Sequence, residues 1–408
     1  MNKENNNKKV ICILADALRF DYIKRYDMSF LREKIESGNC FYAKKIIPST
    51  GFCEIAEYVQ GKNTAEHGFL AQITIKKDWQ DIKRKRKLDT IQTIHSYSPI
   101  RKIPRIKYFY KLILDKYLET IISKEVVNIR YNIPLNLLPF IRPTESKFEY
   151  DNSDFGKSNM FIWMKNNKIS YDIDDFVKHN KVRGTDKNRM NNLERKIHNK
   201  NLKDFTMLYI GYGELAHFLG PDSYDFGKVM KDFSKSLENI YRLMVNNYHN
   251  FDLIILGDHG MLKVGKYVDI IKIIDFLMMK MGLKYLNDYI YFVDSTMLRI
   301  WLKKKSFVPY VKQRLMEKIG EVIECDLETE KYLSKFIPVF GDIIFLLKPG
   351  NVFFPDFFNE KKNKGMHGYL NKYKNQAGTL LNIGKNHDYK ESMELNEVKN
   401  YIQSLWEN

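Results

Sequence analysis

The sequence predicts an α/β fold with a largely parallel sheet flanked by helices, plus an inserted cap region. Three observations support it: continuous apolar runs typical of buried strands, amphipathic segments between them, and two long stretches that interrupt this alternation. The apolar runs are VICILAD (10–16), FTMLYIGYG (205–213) and FDLIILGD (251–258). Runs that are apolar throughout indicate parallel strands that are covered on both faces.

Helix and strand signals alternate along the rest of the predicted core. MSFLREKIES (28–37) has helical spacing and is followed by Gly38, a helix stop signal, and CFYAKKIIP (40–48) is the next predicted strand. EIAEYVQG (54–61) predicts a short helix that ends on a glycine, and FGKVMKDFSKSLENIYRLMVNNY (226–248) predicts a long amphipathic one.

Two stretches interrupt this alternation. The chain has 408 residues, too many for one minimal domain. Residues 76–200 combine a basic run with scattered prolines, and we expect an inserted, basic and mostly helical cap. Residues 263–349, which include strand-like YIYFV (289–293), MLRIWL (297–302) and DIIFLLKPG (342–350), predict a second insertion packed on the core. The remaining segments are a discontinuous catalytic core of 8–75, 201–262 and 350–385, and a C-terminal helix at 386–408.

The composition narrows the class of protein. A net charge of +17 and a pI near 9.3 favour an anionic partner without selecting phosphate, nucleic acid or an acidic membrane surface. No stretch is apolar over the ~20 residues that a membrane-spanning helix needs. The four cysteines are scattered, which argues against a thiolate metal site and fits a reducing compartment. We therefore expect a soluble, cytoplasmic protein.

An acidic residue follows each of the three apolar strands, at Asp16, Glu214 and Asp258. In open α/β sheets, ligands bind beyond the carboxyl ends of the strands, so these acids are candidates for a binding site. Each also has an ordinary interpretation, since Asp16 could cap a helix and Glu214 could be a solvated loop residue.

Histidines accompany these acids. His217 lies three residues after Glu214, on the same face of a helical turn, and His259 directly follows Asp258. A further histidine, His367, lies between glycines in GMHGY. Carboxylates and imidazoles without cysteine suit zinc, with manganese or iron as alternatives. Two ions about 4 Å apart would form a site for phosphoryl displacement.

Six motifs, in this order, resemble the alkaline phosphatase superfamily in its nucleotide pyrophosphatase/phosphodiesterase branch. They are LADALRFD (14–21), IIPSTGFCE (46–54), GKNTAEHGF (61–69), GELAHFLGP (213–221), ILGDHGM (255–261) and GMHGY (365–369). The resemblance implies an alkaline-phosphatase-like core. It also implies metal-dependent hydrolysis of a small phosphodiester or nucleotide pyrophosphate.

The resemblance further assigns the candidate ligands to two divalent metal ions. It implies that Asp16, Asp258 and His259 hold one ion, and that Glu214, His217 and His367 hold the other. It also implies that the glycines around Asp258 let the backbone turn tightly. The family usually has aspartate in place of Glu214, a difference that bears on metal preference more than on function.

The nucleophile departs from the family pattern. The resemblance implies a threonine or serine that forms a covalent phosphoryl-enzyme, but the family spacing reaches Gly51, which has no side chain. The nearest hydroxyls are Thr50, our first choice, and Ser49. Cys53 and Glu54 replace an asparagine that usually binds phosphate. In the alternative interpretation, either hydroxyl caps the following helix and the enzyme binds metal but is impaired.

Other functions stay open at this point. Within the superfamily they are phosphomonoesterase and phosphotransferase, whereas sulfatase is disfavoured because no cysteine occupies the nucleophile site. Outside it, the basic run 83–87 and the amphipathic segment 103–122 suggest a non-catalytic protein that binds nucleic acid or contacts an anionic membrane surface. No specific nucleic-acid module is recognised, and residues that bind the substrate are unknown.

One arginine lies within the metal-binding motifs, at Arg19. Enzymes that prefer monoesters usually place an extra cation near the additional phosphate charge. Three residues past Asp16, Arg19 is expected to point to the helix surface, where an ion pair with Asp21 would hold it. We therefore expect diesters to be preferred over monoesters.

Overall fold

The computed structural model describes residues 8–82, 86–97, 104–130, 132–144, 156, 159–174, 185–373, 376–384 and 386–407. The basic run 83–87 therefore lies mainly outside the described residues. The segment 103–122 does contain a helix, as its spacing predicts, at Pro104–Glu119. Among the described helices, none combines the length and the apolar character required to cross a bilayer.

The described strands are numbered in chain order. They are β1 (Lys9–Ala15), β2 (Phe41–Ile47), β3 (Ile73–Ile75), β4 (Ile141–Pro143), β5 (Tyr171–Asp174), β6 (Phe205–Ile210), β7 (Phe251–Leu256), β8 (Leu262–Lys263), β9 (Lys266–Val268), β10 (Tyr289–Val293), β11 (Met297–Leu302), β12 (Ile343–Leu346), β13 (Asn351–Phe353), β14 (Gly365–Met366), β15 (Gly378–Ile383) and β16 (Tyr389–Glu394).

The described α-helices are numbered in the same way. They are α1 (Tyr22–Arg25), α2 (Ser29–Glu36), α3 (Glu54–Gln60), α4 (Thr64–His67), α5 (Arg86–Tyr97), α6 (Pro104–Glu119), α7 (Lys124–Asn128), α8 (Met160–Asn166), α9 (Asp186–His198), α10 (Ala216–Leu219), α11 (Tyr224–Asn247), α12 (Ile270–Lys280), α13 (Val308–Ile319), α14 (Leu327–Ser334) and α15 (Val398–Ser404).

The chain divides into two compact units. The first unit comprises Met1–Gly68, Phe148–Gly265 and Asn363–Asn408, and the second unit comprises Phe69–Lys147 and Lys266–Lys362. Both units are therefore assembled from segments that are distant in sequence.

The main sheet belongs to the first unit and has, over the described strands, the order β16-β2-β15-β7-β1-β6-β5. Neighbouring strands from β7 through β1 and β6 to β5 are parallel, whereas β15 runs antiparallel to both β7 and β2. The predicted α/β fold with a largely parallel sheet and flanking helices is thus confirmed.

Helix α11 shows why this sequence supports such a sheet. Ser223 caps the helix by accepting a hydrogen bond from the amide of Phe226 at 3.1 Å. Phe226, Phe233 and Leu237 lie on one buried face of the helix, within the same core as Ile11 of β1.

The second unit contains an antiparallel sheet of β10, β11 and β12. Arg299 of β11 is fully buried, and its Nη2 lies 2.9 Å from Oδ2 of Asp294. Removing one partner of a buried ion pair leaves an uncompensated charge, so this pair constrains the local packing.

The observed boundaries differ from the predicted ones in several places. Strand β5 lies within the predicted insertion 76–200 but pairs with β6 in the main sheet, so 148–200 belongs to the first unit, as does 263–265. The segments 69–75 and 350–362, predicted as core, belong to the second unit, together with 76–147 and 266–349. Residues 386–408 include a strand, β16, before their helix, because β16 pairs with β2 through backbone hydrogen bonds despite its charged side chains.

Candidate functional site

The predicted ligands lie at one edge of the main sheet. Asp16 directly follows β1, the pair Asp258 and His259 follows β7 after one glycine, and Glu214 and His217 follow β6 in a turn that leads into α10. Because β6, β1 and β7 are adjacent and parallel, their carboxyl ends bring these residues to the same edge. All of these residues, and His367, belong to the first unit.

Asp16, Asp258 and His259 form one group of potential donors. One donor atom from each lies within 4.8 Å of the others, and Nε2 of His259 is 3.5 Å from Oδ1 of Asp16 and 3.9 Å from Oδ1 of Asp258. The amides of Ala17 and His259 donate to Oδ1 of Asp258 at 3.2 and 3.0 Å. These bonds orient the Asp258 carboxylate toward the imidazole.

Each of the three histidines is held by a hydrogen bond from its ring to a backbone carbonyl. Nδ1 of His217, His259 and His367 bonds to the carbonyls of Gly365, Gly260 and Gly51 at 2.7, 3.0 and 3.0 Å, respectively. Since a carbonyl oxygen only accepts, each Nδ1 carries a proton, which leaves Nε2 as the ring atom that can bind a metal ion once it is deprotonated. Histidine ligands of metal ions commonly have this second hydrogen bond, which fixes their orientation.

The rings of these histidines are close together. The His259 and His367 rings stack at a centroid distance of 4.0 Å, and the His217 and His367 rings are 5.4 Å apart. His367, from a distant segment of the chain, therefore lies beside the histidines that follow β6 and β7.

Burial and neighbouring charges both shift the pKa values of this cluster. Burial raises the pKa of Asp16 to about 6, helped by the charge of Asp258, and burial lowers the pKa of His217 to about 4. Burial would also lower the pKa of His259, but the carboxylates of Asp258, Glu54 and Asp16 outweigh it and raise that pKa to about 9. The site therefore has an excess of negative charge that favours a cation.

Glu214 and His217 lie outside the groups of three donors found among the described residues. Glu214 is connected to the first group through Tyr209, whose hydroxyl bonds to Asp16 and lies 2.9 Å from Oε1 of Glu214. Burial and the adjacent carboxylates raise the pKa of Tyr209, so the phenol stays protonated and can donate its proton to one of them. The sequence analysis missed Tyr209, because a tyrosine in an apolar strand resembles an ordinary core residue.

A second group of donors contains a residue that the sequence analysis did not predict as a ligand. One donor atom each from Glu54, His259 and His367 lies within 4.8 Å of the other two. Glu54 begins α3 and is buried. The only signal in the sequence was its occurrence in place of the asparagine of the family pattern.

The two candidate hydroxyls have different surroundings. The Ser49 hydroxyl donates to Oε2 of Glu57 at 3.0 Å and accepts from the amide of Thr64 at 3.3 Å. Thr50 is 1% exposed, and its Oγ1 has no hydrogen-bond partner among the described residues. Neither caps α3, because the N-cap residue is Cys53 and no side chain bonds there. The interpretation of these hydroxyls as helix caps is therefore wrong.

The glycine before Asp258 is required by close packing. A Cβ atom on Gly257 would lie 2.2 Å from the carbonyl oxygen of Leu18. Gly257 is not among the described residues with positive φ, so close approach of β7 to the loop after β1, more than a tight turn, accounts for this glycine.

Arg19 pairs with Asp21 as expected, but it is buried, so its predicted surface position is wrong. Its Nε donates to Oδ1 of Asp21 at 2.7 Å, Nη2 donates to Oδ2 at 2.6 Å, and Nη1 donates to the carbonyl of Met261 at 2.6 Å. The Arg19 guanidinium is therefore already hydrogen-bonded to other groups of the protein.

The donor set fits divalent metal ions. Buried carboxylates and imidazoles whose Nδ1 atoms are already hydrogen-bonded are the ligands that zinc and similar cations take in proteins. These carboxylates and imidazoles could therefore hold such ions at the carboxyl ends of β6, β1 and β7.

Residues 10–370 match the family model of type I phosphodiesterase / nucleotide pyrophosphatase. No curated protein sequence matches the chain.

Among solved structures, the chain is similar to murine ectonucleotide pyrophosphatase / phosphodiesterase 5, with a TM-score of 0.64, 15% identity, and coverage of 98% of this chain and 95% of that chain. The human protein gives the same values. An inactive variant of the murine protein, in complex with AMP, has a TM-score of 0.63 and 16% identity with the same coverage. At this identity, these similarities concern the fold alone.

Proposed function

The chain belongs to the type I phosphodiesterase / nucleotide pyrophosphatase family and is a hydrolase of phosphoric esters, and from this premise we propose its reaction and centre. The proposed reaction is hydrolysis of a phosphodiester or nucleotide pyrophosphate at a centre of two divalent metal ions, through a covalent intermediate on Thr50. The observation that supports this most directly is the convergence of carboxylates and imidazoles from distant segments at one edge of the sheet.

The proposed centre uses the ligands that the sequence predicts. Asp16, Asp258 and His259 would hold one ion, and the second would be held by the remaining predicted ligands, Glu214, His217 and His367. Zinc is the first choice, with manganese or iron as alternatives, because the donors are nitrogen and oxygen without sulfur. When bound, the ions neutralise negative charge that develops on the phosphate oxygens.

Thr50 is the proposed nucleophile because its hydroxyl, unlike that of Ser49, has no hydrogen-bond partner among the described residues. Thr50 Oγ1 would lose its proton and form a bond to phosphorus, while the bond from phosphorus to the leaving oxygen breaks and that oxygen takes a proton. Water would then cleave the bond between Thr50 and phosphorus, which releases the product and restores the hydroxyl.

A small nucleotide is the proposed class of substrate. The family description names nucleotide pyrophosphatase activity, and the inactive variant of the murine structural neighbour is in complex with AMP. We also propose that the basic character of the chain, with a net charge of +17, favours approach of anionic substrates.

The test is metal analysis of the purified protein combined with a phosphodiesterase assay. We expect two divalent ions per chain, loss of turnover on treatment with a chelator, and recovery on addition of Zn²⁺ or Mn²⁺. Asp258→Asn and His367→Ala should each lower metal content and abolish most of the metal-dependent turnover.

Matched controls are Asp232→Asn and His198→Ala, which alter exposed residues on α11 and α9. Both should bind metal and turn over substrate like the wild-type protein. A protein that hydrolyses diesters at an undiminished rate after complete removal of metal would contradict the proposed function.

A further inference from the structure

We infer that Glu54 is a ligand of the same metal centre. Its carboxylate joins the two proposed ligand sets, which are Asp16, Asp258 and His259 for one ion and Glu214, His217 and His367 for the other. This inference rests on the proposed function and adds to it a ligand that the family pattern does not contain. Its starting point is the position of Glu54 beside His259 and His367, with one donor atom from each within 4.8 Å of the others.

The two histidines belong to different halves of the proposed centre. His259 lies with Asp16 and Asp258, and the His367 ring lies 4.0 Å from the His259 ring and 5.4 Å from the His217 ring, measured between centroids. A carboxylate has two oxygens and can therefore contact two cations at once. Glu54 is thus placed to connect the two halves.

The geometry around Gly51 supports this role. A Cβ atom built on Gly51 would lie 3.4 Å from Oε1 of Glu54 and 3.2 Å from the amide nitrogen of Gly368. The Gly51 carbonyl also accepts the hydrogen bond from Nδ1 of His367. Residue 51 therefore lies beside the metal-binding residues, and the Glu54 carboxylate is at van der Waals distance from the position of its Cβ atom.

Charge balance points the same way. Glu54, Asp16 and Asp258 are buried carboxylates that belong to the two donor groups sharing His259. Buried carboxylates are stable only when they are paired with positive charge or coordinate a metal. Divalent cations in contact with these carboxylates would balance their charge.

Glu57, one turn further along α3, offers a matched control. It is also buried, but its carboxylate accepts hydrogen bonds from Ser49 and Thr64 and lies outside both donor groups found among the described residues. Substitution of Glu57 therefore removes a buried carboxylate from the same helix without removing a ligand.

The experiment is a titration of metal-free protein with Zn²⁺ in the presence of a competing chelator, with elemental analysis of the loaded protein. Loss of a hydrogen-bond partner of a metal ligand weakens binding about 10–100-fold, and loss of a ligand should weaken it at least as much. We expect Glu54→Gln to weaken Zn²⁺ binding by about 100-fold or more, and Glu57→Gln to leave it within a few-fold of wild type.

Glu54→Asp separates a ligand from a charge. It keeps the negative charge but withdraws the carboxylate by one methylene group, so a ligand role predicts weakened Zn²⁺ binding here too. Circular dichroism of each metal-free variant checks that it is folded. If Glu54→Gln is not folded, Glu54→Asp provides the test. Wild-type Zn²⁺ binding in Glu54→Asp or Glu54→Gln would overturn the inference.

The titration also separates this inference from the proposed function. If Asp258→Asn loses Zn²⁺ but Glu54→Gln binds two ions with wild-type affinity, the centre stands and Glu54 is not a ligand. If the wild-type protein binds no Zn²⁺, Mn²⁺ or Fe²⁺, the proposed centre fails, and the role of Glu54 fails with it.

Discussion

The hydroxyl groups of Thr50 and Ser49 are adjacent in sequence but have different surroundings in the structure. Thr50→Ala should lower kcat/KM for a phosphodiester by at least about 100-fold, because an attacking hydroxyl is lost.

Ser49→Ala should keep most turnover and lose about 1 kcal/mol of unfolding free energy, because the hydrogen bonds of its hydroxyl to Glu57 and Thr64 are lost. Steady-state kinetics and chemical denaturation of both variants measure these effects. If both variants retain normal turnover, attack by water without a covalent intermediate becomes the better mechanism.

Glu57 predicts a pH dependence of stability. Burial raises its pKa from 4.5 to about 7, so between these values the folded protein binds this proton more readily than the unfolded chain does. The stabilisation from Glu57 is therefore fully present below pH ~4.5 and is lost as the pH rises through ~7. Glu57→Gln, which does not titrate, should have a flatter stability profile over this range.

Denaturant midpoints of wild type and Glu57→Gln, measured from pH 4.5 to 8, test this assignment. The wild-type midpoint should fall relative to the variant midpoint as the pH rises. Parallel profiles would mean that another group is responsible for the pH dependence.

At the scale of secondary-structure elements, the candidate site depends on how closely the loops after the strands approach each other. A Cβ atom on Gly213, in the turn after β6, would lie 1.8 Å from the carbonyl oxygen of Asp16, after β1. Gly213→Ala should therefore displace the backbone of Asp16, cost about 1–3 kcal/mol of stability and weaken Zn²⁺ binding. Thermal denaturation and the Zn²⁺ titration measure the two effects.

Gly320→Ala is the control for this substitution, because a Cβ atom there would meet only the flexible end of Met316, at 3.3 Å. It should change neither Zn²⁺ affinity nor, beyond a fraction of a kcal/mol, stability. Unchanged stability and Zn²⁺ binding in Gly213→Ala would show that this contact does not position Asp16.

At the scale of the whole molecule, substrate preference follows from which cations the chain can offer to phosphate. The arginine within the predicted metal-binding motifs, Arg19, is already bonded to Asp21 and Met261. A monoester carries an extra negative charge that a charge-assisted hydrogen bond, worth about 1.5–3 kcal/mol, would stabilise. Without that bond, hydrolysis of a monoester should be about tenfold or more slower than in an enzyme that supplies it. We expect kcat/KM for bis(p-nitrophenyl) phosphate to exceed that for p-nitrophenyl phosphate.

The two substrates should be compared at the same pH and at saturating metal. A clear preference for the monoester would contradict the proposed phosphodiesterase activity while leaving the metal centre intact. The cytoplasmic location and the contact with an anionic surface stay predictions at this scale, and the structure adds no support for the surface contact.

Most of the fold was predictable because its main elements are encoded by consecutive residues. The apolar runs of β1, β6 and β7 and the amphipathic pattern of α11 are local signals, and the structure places these elements within a few residues of the predicted ranges. Three strands of the main sheet, β5, β15 and β16, were not predicted, although β15 is buried throughout. Strand β5 is short and lies within a stretch that otherwise interrupts the pattern, and β16 has mostly exposed, polar side chains. Their pairing with β6 and β2 outweighs weak local preference.

The sequence by itself determined the chemical types of the candidate ligands and the order of the motifs that contain them. Only the tertiary structure decided which of these residues meet: it places Glu54 with His259 and His367, and it distinguishes the Thr50 hydroxyl from that of Ser49. The physical reason is that a ligand group depends on distances between side chains from separate segments. Those distances are set by how the sheet and its loops pack, and no local pattern of residues contains them.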